Sequence, residues 1–237
     1  MSNVTHFHIV QPLRVALAAT AVVALALPAH AADLATKAYN WTGLYGGANF
    51  GFAFNTERAT APLGTASTDP SGVLGGGQLG YDFQFAPSWL AGTEAEFDGT
   101  TARSTTSVVG VGVQMETALS IASDHNWYGT LNGRFGYVAG PWLTFAKGGA
   151  AWMNANYQVE VNSGIAGVSS LNTTRTGWTA GGGAEYQPIP KWTVKVEYDC
   201  LDFGASTSNF AAPAGATTFK TQVNEVKAGI NDHFGDL

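Results

Sequence analysis

WTGLYGGANFGFAF, residues 41–54, alternates without a slip between two sets of side chains. Leu44, Gly46, Ala48, Phe50, Phe52 and Phe54 share one face, and Tyr45, Gly47, Asn49 and Gly51 share the other. This is the period of two of a β-strand, whose successive side chains point to opposite faces. Residues 73–85, VLGGGQLGYDFQF, repeat the pattern, with Val73, Leu79, Tyr81, Phe83 and Phe85 set against Gln78, Asp82 and Gln84. Each strand thus presents one large apolar face and one small or polar face.

Working outward, the same unit recurs: a strand, a long polar connection, a second strand and a tight turn. Short turns fall at Ala86-Pro87-Ser88, Ala139-Gly140-Pro141 and Gln187 to Lys191. Longer connections lie near Asn55 to Gly72, Gly99 to Asn126, Met153 to Arg175 and Gly204 to Thr221, and VVGVGVQM within the second is apolar enough to prolong the strands. Four hairpins with short turns on one side and long connections on the other predict an all-β fold, an eight-stranded antiparallel up-and-down transmembrane β-barrel. A propeller is excluded because a blade carries four strands and these units carry two.

The charges sit on the faces opposite the large apolar residues. Glu94 and Glu96 alternate with Thr93, Ala95 and Phe97; Asn132 and Arg134 oppose Leu131, Phe135 and Tyr137. Lys195 and Glu197 oppose Val194, Val196 and Tyr198, and Glu225 and Lys227 oppose Val226, Ala228 and Ile230. With Asp82, Lys147 and Glu185 on the same faces, six acids and four bases are expected to line a common interior as an ion-pair network. A barrel of eight strands is just wide enough for its own side chains to fill. Apolar outside and polar inside is the reverse of a soluble ligand-binding barrel and requires lipid around it. The tryptophans agree. Trp41, Trp89, Trp142 and Trp192 open strands beside the short turns or the N-terminal segment, and Trp127, Trp152 and Trp178 lie at the opposite ends, so two aromatic girdles are expected.

The ends and the composition narrow the class. Arg14 precedes a charge-free run from Val15 to Leu27, followed by Pro28 and Ala29-His30-Ala31. This is the layout of a secretory signal peptide, 1–31, cleaved between Ala31 and Ala32, with Ala29 and Ala31 as the small residues of the cleavage site. The run is shorter than the roughly 20 residues a spanning helix needs. A tether, 32–40, then leads to the barrel, 41–237, destined for the cell outer membrane. Beyond the leader, ten basic residues face seventeen acidic ones with no basic cluster, which argues against nucleic acid. Asp, Glu, Lys and Arg make up only 12% of the chain, about half the usual share. The single cysteine, Cys200, permits neither an internal disulfide nor a cysteine metal site, and it is assigned to the lipid side.

Several segments resemble the small outer-membrane β-barrel family of alphaproteobacterial surface proteins. They are WTGLYGGANFGF, GVLGGGQLGYDFQ, WYGTLNGRFGY, FAKGGAAW, TRTGWTAGGGAEY, KVEYDCLDFG and VKAGINDHFG, in that order along the whole mature chain. The resemblance implies an outer-membrane location, a structural or surface-antigen role and no catalytic residues. The chain departs from the pattern at Asp232, where an aromatic is usual, and at its end, Phe234-Gly235-Asp236-Leu237.

Other chemistry is weighed and set aside. Gly75 to Gly80 matches G-x-G-x-x-G, but that loop must turn a strand into a helix, and here period two runs straight through. Ser123-Asp124-His125 holds the residue types of a hydrolytic triad in adjacent positions that cannot align. Asn40 and Asn172 head N-x-T sequons without meaning in a bacterial envelope. The expectation is a non-enzymatic surface barrel, without cofactor or metal, whose connections serve envelope integrity or contact with host, ligand or peptidoglycan. Its other expected partners are outer-membrane lipid, lipopolysaccharide and the barrel-assembly machinery; the alternative is a narrow porin-like channel. The cleavage assignment predicts that the outer-membrane form begins at Ala32, which intact mass spectrometry reads directly.

Overall fold

In the computed structural model the described residues are 39–61, 64–110, 117–162, 167–209 and 216–234. The expected signal segment and most of the tether lie outside them. Ten strands follow in order: β1 (Gly43–Ala61), β2 (Gly64–Thr68), β3 (Ser71–Ala86), β4 (Trp89–Thr100), β5 (Arg103–Gly110), β6 (Thr117–Ala139), β7 (Trp142–Asn162), β8 (Gly167–Ile189), β9 (Trp192–Asn209) and β10 (Ala216–His233). All belong to one antiparallel sheet, in the order β2-β1-β10-β9-β8-β7-β6-β4-β3-β5.

The sheet closes on itself because β1 pairs on both sides. Gly43 to Phe54 pair with Asp82 to Ser71 of β3, and Tyr45 to Thr60 pair with His233 to Thr218 of β10. The ring has eight staves. β2 continues β3 beyond an interruption at Asp69-Pro70, and β5 continues β4 beyond one at Thr101-Ala102. β2 pairs with the far half of β1 and β5 with the far half of β6, so the extra strands lengthen two staves without adding to the ring.

The tight turns sit where the sequence places them, at Pro87-Ser88, Gly140-Pro141 and Pro190-Lys191. Gly140 takes φ 61°, a left-handed conformation that glycine adopts without penalty. The long connections need correction. Much of each is strand: β1 runs to Ala61, β7 to Asn162, β8 starts at Gly167, and β9 and β10 reach Asn209 and Ala216. Within VVGVGVQM, Val108 to Gly110 belong to β5, and the rest lies outside the described residues. Their Thr-, Ser- and Ala-rich composition reads as loop, yet once a ladder is set its backbone pairs carry on through them.

Side chains obey the expected phase. Phe50, Phe52, Phe54, Leu79, Tyr81, Phe83, Phe97, Leu131, Phe135, Val194, Val196 and Ile230 all face outward. Cys200 shares the outward phase of Tyr198 on β9. Inward glycines make room for large neighbours across the ladder: Gly80 faces the Tyr45 ring, and a Cβ at Gly183 would press within 2.9 Å of the Glu197 backbone. Outward Gly133 has nothing closer than 3.9 Å. Gly183→Val should therefore prevent formation of the fast-migrating folded species on unboiled SDS gels, whereas Gly133→Val should fold as the wild type does.

Candidate functional site in the barrel lumen

Alternation on eight staves sends one residue in two into a narrow interior, and the charged ones meet there. All ten residues of the expected network are buried inside: Asp82, Glu94, Glu96, Arg134, Lys147, Glu185, Lys195, Glu197, Glu225 and Lys227. Two further acids join them, Asp98 on β4 and Asp199 on β9. Both share the parity of the neighbouring inward carboxylates, which is the signal that could have found them.

The geometry is one continuous web. Lys227 Nζ lies 2.8 Å from Glu96, 3.0 Å from Asp199, 3.3 Å from Glu197, 3.4 Å from Glu225 and 3.5 Å from Asp98. Lys147 reaches Glu96 and Glu197 at 3.1 Å, Asp199 at 3.2 Å and Glu94 at 3.3 Å. Lys195 reaches Glu94 and Glu96 at 3.1 Å and Glu197 at 3.2 Å. Arg134 pairs with Glu185, lies 3.6 Å from Glu94 and 3.7 Å from Asp82, and donates to the Tyr45 hydroxyl at 2.6 Å. Tyr45 in turn donates to Glu94 at 2.9 Å. Thr193 and Asn231 donate to Glu185. Buried charges persist only when paired and hydrogen-bonded, and here each cation serves three to five carboxylates.

The acids of Glu94, Glu96 and Glu197 bring oxygens within 4.8 Å of one another, close enough to hold a metal ion. Lys147 and Lys195 stand among them and supply the positive charge that a metal would bring.

The interior is not polar throughout, which corrects the sequence expectation. At the short-turn end, Trp41, Leu90, Val138, Leu143 and Phe145 form an apolar layer, with Tyr39 packed against it. Toward the other end, Leu74, Tyr128, Met153, Leu201, Phe203, Phe219 and Val223 form a second. Within it, Thr221, between Phe219 and Val223 on β10, donates to Glu57 at 3.0 Å and accepts from Arg175 at 2.7 Å, and the Asn55 amide approaches His125 Nδ1 at 2.7 Å. The ion web therefore lies between an apolar layer at the short-turn end and, at the other, a mixed layer in which apolar residues surround buried Glu57 and Arg175.

Trp41 is the other correction. The sequence pattern places it in a girdle, but it is only 2% exposed, inside the mouth, 5.8 Å from the His233 ring in an edge-on contact. It precedes β1 and has the odd parity of Tyr45, so it falls inward. Trp89, Trp142, Trp178 and Trp192 do face outward, and Trp127 and Trp152 are half-buried on outward positions. Trp89 stacks on Phe135 at 5.2 Å, and tilted ring contacts join Trp142 to Tyr186 at 4.6 Å and Phe97 to Trp127 at 5.4 Å. The three adjacent residues of the supposed triad are split: Ser123 and His125 point inward, while Asp124 pairs with exposed Arg103 at 3.8 Å. The G-x-G-x-x-G segment lies wholly within β3.

A closed antiparallel ring with an apolar outer band and a charged interior defines an outer-membrane β-barrel. The chain belongs to the outer membrane protein beta-barrel domain family, whose model matches residues 17–233. It is 29% identical over 201 residues to the 31 kDa outer-membrane immunogenic protein of Brucella melitensis, covering 80% of this chain and 81% of that one. The 25 kDa outer-membrane immunogenic protein of Brucella canis is 25% identical over 196 residues, 83% and 80% of the two chains. Among solved structures, the outer membrane protein OprG of Pseudomonas aeruginosa shares the fold, with a TM-score of 0.51 at 14% identity over 82% of this chain and 98% of that one.

Removing one partner of a buried ion network leaves its counter-charges stranded, at a cost of about 3 to 5 kcal/mol. Lys227→Met should lower barrel stability by that amount, read as a shift in the urea midpoint of vesicle-embedded protein at neutral pH.

Proposed function

We propose that this protein is a closed, non-enzymatic structural barrel of the outer membrane whose extracellular strand ends and connections make its contacts. The observation that carries the reading is the Lys227 ammonium within 3.5 Å of five carboxylates, between the two packed layers. A water-filled path would have to break that web and cross both layers. Leu90, Leu143 and Trp41, each no more than 2% exposed, stand at the short-turn mouth, where an open pore would be lined by hydrated polar groups.

Such a barrel stiffens the envelope and displays the ends of its long staves. The name immunogenic protein carried by the Brucella relatives supports a surface-antigen role for those ends. Lipid and lipopolysaccharide around the outer band, the assembly machinery that inserts the barrel, and host surfaces or peptidoglycan are the partners this role entails. The same packing disfavours the narrow-channel alternative, since the lumen's charges are spent on one another.

The test is single-channel recording in planar bilayers. The wild type should give no steady conductance. A reproducible conductance that shifts on Arg134→Ala would overturn the closed-barrel reading in favour of a channel.

A further inference from the structure

We infer that the outer wall between β1 and β6 carries a binding slot for an outer-leaflet lipid with a phosphate-bearing headgroup: the acyl chain lies over Gly75 and Gly99, and the phosphate meets Arg103. The slot begins in the register of four neighbouring staves. Phe50 pairs with Gly75, Gly75 with Gly99, and Gly99 with Trp127, so one outward row reads aromatic, glycine, glycine, aromatic. Two adjacent positions without side chains between two large rings leave a trough, and a groove of about 420 Å³ opens there.

The β3–β4 ladder ends just above, at Leu74 and Thr100, and the wall is sealed by hydroxyls instead. Thr101 N and Thr100 Oγ1 both donate to Val73 O, at 3.0 and 3.2 Å, and Val73 N donates to Thr101 Oγ1 at 3.2 Å. One row higher, Ser71 pairs with Arg103 and Arg103 with Asp124. Along β4 and β5 the outward residues thus run from glycine through threonine to arginine, over about 13 Å at the usual rise per residue. The polarity follows that of a lipid entering the leaflet, chain first and headgroup last.

The trough is continuous with the aromatic band that faces the membrane, so lipid is what lies against it. Packing does not demand the glycines. A Cβ at Gly99 would meet nothing nearer than 3.8 Å, and one at Gly75 would make ordinary contact at 3.4 Å. The Arg103 side chain is 78% exposed, and its ion pair with Asp124 is long, at 3.8 Å, leaving donors for a phosphate. Basic residues at the headgroup level are the usual readers of anionic lipid.

Native mass spectrometry of the outer-membrane form in detergent, titrated with bis-phosphorylated lipid A and with its dephosphorylated counterpart, tests the slot. The wild type should retain one lipid A. Gly99→Leu and Arg103→Ala should each weaken binding at least tenfold while still migrating as folded barrels, and Asp124→Asn should strengthen it. Gly75→Leu fills the same trough from the other stave, should Gly99→Leu misfold. Wild-type affinity in a folded groove-filling variant would overturn the acyl site. Equal affinity for the dephosphorylated lipid would overturn the role of Arg103. Both readings concern the wall alone and stand or fall apart from any conductance of the lumen.

Discussion

The rest of the structure depends on the closure of one hydrogen-bond ladder. Hydrocarbon offers no water to an unpaired backbone N–H or C=O, so a sheet can span it only without an edge. β1 supplies that closure by pairing with β3 on one side and β10 on the other. Once the ring is shut, each residue's parity assigns it to lipid or lumen, and the small circumference fixes how much the lumen must hold. Inward glycines such as Gly80 and Gly183 are the counterpart of that narrowness, because a side chain there would occupy the place of Tyr45 or Glu197.

The lumen answers the same constraint in layers. The charges of the web are shielded from water by packed layers at both ends, apolar at the short turns and mixed at the other, which strengthens every attraction among them and makes every unpaired carboxylate costly. Arg134 ties the layers together. Its guanidinium reaches Glu185, the Tyr45 hydroxyl and the acids around them, while its Cζ lies 4.1 Å from the centre of the Phe145 ring in the layer below. With acids outnumbering bases, the lysines cross the lumen to serve several strands at once: Lys227 of β10 contacts Glu96 and Asp98 of β4 as well as Glu197 and Asp199 of β9. The contacts to β4 brace the ring across its interior, where backbone pairing cannot.

Variety enters where the ladder is imperfect. The interruptions at Asp69-Pro70 and Thr101-Ala102 divide two staves, and at the second the wall is held by threonine hydroxyls in place of regular pairing. Regular parts of the barrel are dictated by closure and packing. Irregular parts are free to acquire surface chemistry, as expected where function is grafted onto a rigid scaffold.

The sequence by itself determined the phase of the regular parts of the eight staves, the three tight turns and the inward direction of all ten network residues, because period two and turn chemistry are local properties. It also implied the lipid around the barrel, since no soluble protein could expose Phe50, Phe52, Phe54 and their counterparts. Only the tertiary structure decided how high each inward residue stands and which distant stave it meets. Asp98 and Asp199 had the right parity yet joined the network only where Lys227 and, for Asp199, Lys147 reach them, and Leu90, Leu143 and Phe145 became a layer only when β4, β6 and β7 brought them and Val138 to one level with Trp41. Parity gives a face and not a height. Height is set by the stagger between neighbouring strands, which accumulates around the ring and exists only once it is closed.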